Sequence, residues 1–209
     1  TLTSQTIALE KTKAIIAQRA LLLRAYLLLL NEKINQNRGM TEPDRTTYQT
    51  LIGNEVVFLQ SHSKLVESIG SLEDAQNVSR NLVEHDTALQ SSMRQTIAGI
   101  ILGNLSERSK HFDIVLADAK AIARANRGIF SPEKQTILDR WLLQITNTRS
   151  LYQQKVDTLE NFTNELRGTS IDDQNQRLTA IQKTAGEARQ YLLEGSSYLG
   201  ELTVALKYQ

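Results

Sequence analysis

The chain has 209 residues, with 24 Lys plus Arg against 23 Asp plus Glu, a formal net charge of +1. That balance removes the electrostatic ground for nucleic-acid binding, and the absence of Cys excludes disulfides, thiolate catalysis, iron–sulfur clusters and Cys-ligated zinc. Two Pro, 10 Gly and 5% aromatics leave few helix breakers, so the composition points to an all-α chain of long antiparallel helices that can bury a core unaided.

In chain order, the spacing predicts a first helix from Leu2 to about Asn37, with Leu2, Ile7, Leu9, Ala14, Ile16, Leu21, Leu28 and Ile34 on one inward side. Its longest apolar run, Ala20 to Leu30, is interrupted by Arg24 and falls short of the roughly 20 residues that span a bilayer. Asn37-Arg38-Gly39 reads as a stop, with Gly39 expected in the left-handed conformation. Thr41-Glu42-Pro43-Asp44 reads as the next start: Thr41 as N-cap, Pro43 in the first turn, Asp44 against the helix dipole.

The second helix is expected to reach Ile69, with Tyr48, Leu51, Ile52, Val56, Leu59 and Leu65 inward and Gly70 closing it. Ser71 and Asp74 approximate a capping box for the third. From Glu73 to Ala125 the helical spacing never lapses, yet Gly99, Gly103 and Asn104 offer a kink, a turn or a close helix approach, so one helix or two remain open. Asn126-Arg127-Gly128 and then Ser131-Pro132-Glu133 mark another stop and start. A fourth helix runs to about Arg167 and Gly168, and a fifth, capped by Ser170 and Asp173, reaches past Leu199 to Leu206.

The two punctuation sites Asn37–Arg45 and Asn126–Lys134 lie 89 residues apart, the same offset that relates Arg19 to Arg108. Either the chain is duplicated, with halves of about 1–102 and 103–209 that pack as two stacked helical bundles in one domain, or the same stop-and-start chemistry simply recurs.

Chemistry-bearing patterns are scarce. His62, His85 and His111 form no metal-ligand spacing, no phosphate loop or nucleophile elbow is present, and neither catalysis nor a cofactor is expected. Arg19 and Arg24 stand out because they interrupt an apolar stretch. Each must reach solvent, pair with a carboxylate, or hold an anion through its planar donor fork. Tyr26 and Tyr48 could add hydroxyl donors, and Arg108, Arg124 and Arg127 sit in similar settings further along.

The string Lys13-Ala14-Ile15-Ile16-Ala17-Gln18-Arg19-Ala20-Leu21-Leu22-Leu23, followed by Arg38-Gly39-Met40-Thr41-Glu42-Pro43-Asp44, resembles the nitrate- and nitrite-sensing (NIT-type) helical sensor domain, with Gln18 where that family usually has Glu. The resemblance covers about a quarter of the chain and carries Arg19 over as an anion ligand. It implies a periplasmic ligand-sensing bundle of a bacterial chemoreceptor or sensor kinase, reaching the membrane only through flanking segments. Helical bimodular and TorS-like sensors of organic acids, a cytoplasmic setting, a homodimeric arrangement and an adaptor bundle without a small ligand are the alternatives. A receptor with both ends at one membrane needs an even number of helices, hence a true turn near Gly103-Asn104.

Overall fold

The computed structural model describes residues 2–166 and 170–207. Gly168, expected to close the fourth helix, and the Leu2 side chain, expected inward, lie outside what is described. Among the described residues there are five α-helices and no strand: α1 (Leu2–Gln36), α2 (Glu42–Glu67), α3 (Leu72–Ala125), α4 (Pro132–Glu165) and α5 (Ile171–Lys207), with a 3-10 turn at Arg127–Ile129 before α4.

Local chemistry sets the helix starts where the caps predict them. The Asp44 N–H donates to the Thr41 hydroxyl at 3.3 Å, and the Asp173 N–H donates to that of Ser170 at 3.2 Å. At α3 the box is reciprocal: the Asp74 N–H donates to Ser71 Oγ and the Gly70 N–H to Asp74 Oδ2, both at 3.1 Å. Hydrogen bonds to the Asp74 carboxyl, from the Ser71 side chain first and the Gly70 N–H next, hold it below its ordinary range. Arg45 finishes α1 from α2, its guanidinium donating to the carbonyls of Ile34, Asn35 and Asn37 at the end of that helix.

One expectation about glycine needs correction. None of the stops at Gly39, Gly70 and Gly128 uses a left-handed backbone. Gly39 is required for proximity instead: a Cβ there would overlap the Gly103 carbonyl and lie 2.6 Å from the Glu107 nitrogen. Gly99 and Gly103, where the sequence left one helix or two open, do not break α3. The helix runs unbroken for 54 residues, about 80 Å at 1.5 Å per residue, and Gly99 makes room for the Tyr48 ring. That continuity leaves no turn at Gly103 and Asn104, the place where an even helix count needs one.

The chain forms two compact units that divide α3 between Ile100 and Ile101. In the first, α1, α2 and the first part of α3 form an up-down-up bundle over Leu27, Ile34, Ile52, Leu59, Leu82 and Leu89, with the start of α5 added. A satellite cluster of Ile16, Val66, Ile69 and Ala75 closes one end of its core. In the second, the rest of α3, α4 and most of α5 form a like bundle over Leu105, Ile145, Tyr152, Leu159, Ile181 and Leu202. The Arg38–Met40 loop belongs to this second unit.

The inward list for α1 was only partly correct. Ile16 and Ile34 are buried, whereas Ile7, Leu21 and Leu28 are exposed. Leu65 of α2 is exposed as well, its core place taken by Val66. By length and composition α1 could also cross a membrane over Ser4–Gln36, because the apolar residues flanking Arg24 outweigh it.

Candidate functional site

Of the seven residues singled out from sequence, four lie in the first unit and three in the second. In the first unit, Arg19 is half exposed, its guanidinium 4.0 Å from Asp86 Oδ1. Arg24 is half buried and its Nε lacks a hydrogen-bond partner, Tyr26 is exposed, and Tyr48 is a core residue packed on Gly99. Arg108 and Arg124 belong to the second unit, and both are exposed.

What the first unit does bring together is a polar cluster that sequence reading missed. Buried Glu55 of α2 accepts from Ser92 Oγ at 2.9 Å and meets His85 Nε2 at 2.7 Å, both on α3. Phe58 stacks on the His85 ring at 3.6 Å between centroids, and buried His62 lies on the same aromatic at 6.1 Å. His62 Nδ1 pairs with Asn81 at 3.3 Å. The Glu55 carboxylate stands between hydroxyl and imidazole, so the acceptor beside the Ser92 oxygen is a carboxylate and not the His85 ring. Among the described residues no group of three His, Asp or Glu could hold a metal. The cluster ties α2 to α3 through these bonds. A helical spacing of α2 positions 55, 58, 62 was visible in the sequence, but their partners are 30 and 37 residues away.

Two concavities of the second unit carry arginines. One, of about 120 Å3, is lined by Lys120, Arg124, Arg127 and Asp139, and of its three cations Arg127 is held by the carboxylate. Arg127 grips Asp139 with two bonds of 3.1 and 2.9 Å, which raise the affinity of that guanidinium for its proton.

The other is a groove of about 420 Å3 between α3 and α5. Its floor is Phe112, Val115, Leu192, Leu193 and Leu199, and at its rim stand Arg108, His111 and Arg189. Helical spacing creates it. Positions 108, 112 and 115 share one face of α3, and 189, 192, 193, 196 and 199 share one face of α5. Gly195 lets α5 approach, since a Cβ there would lie 2.8 Å from Thr148 Oγ1 and 3.1 Å from the Phe112 ring. Among the described residues neither Arg108 nor Arg189 has an ion pair, whereas Arg149 is held by Asp113 and Lys155 by Glu187. Of the seven expected site residues only Arg108 lines this groove, and its partner Arg189 carried no sequence signal of its own.

The chain matches no family model, no curated protein and no solved structure.

Proposed function

We propose that this chain is a ligand-sensing helical module that holds an amphipathic anion in the α3/α5 groove. The charged end of the ligand lies against Arg108 and Arg189, and its apolar body covers Phe112, Val115, Leu192 and Leu193. The observation that carries this reading is two guanidinium groups without carboxylate partners at the rim of an open apolar floor. Such a pair supplies the donor forks for a carboxylate or phosphate, and the floor supplies the area that gives affinity. Nitrate or nitrite would use the arginines and leave the floor wet, so the ligand class moves from the small oxyanion that the NIT-type resemblance implies to an anion with a hydrocarbon or aromatic body. A ligand touching both helices biases the packing of α5 on α3, and that differential binding is what a sensor needs.

Titration calorimetry with octanoate, nitrate and nitrite tests the reading. Octanoate is expected to bind, with Arg108→Ala and Arg189→Ala each weakening it about tenfold or more, the scale of a lost charge-assisted hydrogen bond. Binding that survives both substitutions but disappears in Arg19→Ala would return the site to α1. Arg19 facing Asp86 supports a second reading, a helical adaptor without a small ligand, for which no anion gives heat or a thermal shift.

A further inference from the structure

α1 is apolar on two opposite faces. Ile16, Ala20, Leu27, Leu30 and Ile34 are buried in the first unit, while Ile7, Ile15, Leu21, Leu22, Leu28 and Leu29 are exposed, Ile15 beside α3. Leu22 is 72% exposed and Leu21 64%. The outer residues keep a heptad spacing in two adjacent rows, 7-14-21-28 and 8-15-22-29, with Ala filling 8 and 14. A row of Lys11, Gln18, Ala25 and Glu32 lies between them. Such a seven-residue repeat suits a long helical partner rather than a globular one. From Ile7 to Leu29 it covers about 33 Å of helix at 1.5 Å per residue.

We infer that this face is the contact between two copies of the chain, with α1 pairing antiparallel to α1 of the partner about a two-fold axis between Leu21 and Leu22. The stripe is complementary to its own reverse. When Leu21 of one copy meets Leu22 of the other, Ile15 meets Leu28, Ala14 meets Leu29 and Gln18 meets Ala25. At both ends the charges also match: Lys11 meets Glu32, and Glu10 meets Lys33. All four side chains are exposed, and within the chain they have only helical neighbours, Lys13 for Glu10 and Gln36 for Glu32 and Lys33. A parallel in-register pair would instead set Lys11 on Lys11 and Glu32 on Glu32. An isologous contact of this kind closes at two copies. Its length suits an interface of about the standard 800 Å2 per partner. Arg19 and Arg24 flank the stripe on opposite sides, outside the seam. The inference is independent of the α3/α5 groove.

Sedimentation velocity on the full chain at micromolar concentration is the test. A dimer is expected, reduced to monomer by Leu22→Glu with helicity unchanged. Lys11→Glu and Glu32→Lys, made singly, are each expected to weaken the dimer about tenfold by placing like charges together, and the double variant Lys11→Glu/Glu32→Lys to restore it. A monomeric native chain would overturn the inference, as would a monomer that uses the stripe to bind phosphatidylcholine–phosphatidylglycerol vesicles. A dimer indifferent to Leu22→Glu, or one that the double variant fails to restore, would overturn it too.

Discussion

The two units reach similar three-helix bundles with different interiors. In the first, buried polar groups reach between helices: Glu55 to His85 and Ser92, His62 to Asn81, Gln174 to Ser91, and Asn37 to the Ile100 carbonyl. In the second, Ser109, Thr148 and Thr163 turn back to carbonyls of their own helices, and its ion pairs lie partly or largely in solvent. Across its helices, the buried Tyr152 hydroxyl donates to the Leu105 carbonyl at 2.8 Å and also bonds the Ser109 side chain. Bonds within a helix say nothing about which helix lies next to it, whereas a buried carboxylate with partners on a neighbour penalises every other register. The first unit thus specifies its helix pairing through polar contacts, and the second through shape.

Three substitutions sharpen that contrast. Glu55→Ala should cost about 3 kcal/mol in urea unfolding, because His85 and Ser92 lose a charged partner in a largely dry site. A cost near zero would erase the distinction between the units. Tyr152→Phe should cost about 1 kcal/mol and change the alkaline limb. Burial raises the Tyr152 hydroxyl above its ordinary value of 10.0, so the folded state favours the neutral form. That contribution is complete below the unfolded value and is lost as pH rises through the raised one. The native chain should therefore lose stability above pH 10 more steeply than the Phe variant, as thermal melts at stepped pH would show. Smallest is Thr163→Val, expected within about 0.5 kcal/mol of native, since its hydroxyl only supplements a helical carbonyl that already has an N–H partner.

Helix boundaries were legible because caps are local. Thr41 with Asp44, Ser71 with Asp74 and Ser170 with Asp173 need only their own neighbours to act. The inward face of α1 was not legible, because a helix with Leu or Ile on both sides offers no single apolar direction for periodicity to select. Gly39 looked like a conformational stop, and only the approach of Gly103 shows its role as steric. In the groove, Arg108 was marked by its repeat-like offset from Arg19, but Arg189 lies 81 residues beyond it on a helix that only tertiary packing brings near. The continuity of α3 was undecidable from pattern, since glycine costs a helix only about 1 kcal/mol and packing against Tyr48 can offset that.

The most direct measurement of the central claim is a methyl NMR titration of the chain with octanoate. The account predicts shifts concentrated in Val115, Leu192, Leu193 and Leu199, abolished in the Arg108→Ala/Arg189→Ala variant. Shifts centred on the α1 methyls around Arg19, or groove methyls that stay still while octanoate binds elsewhere, would contradict it.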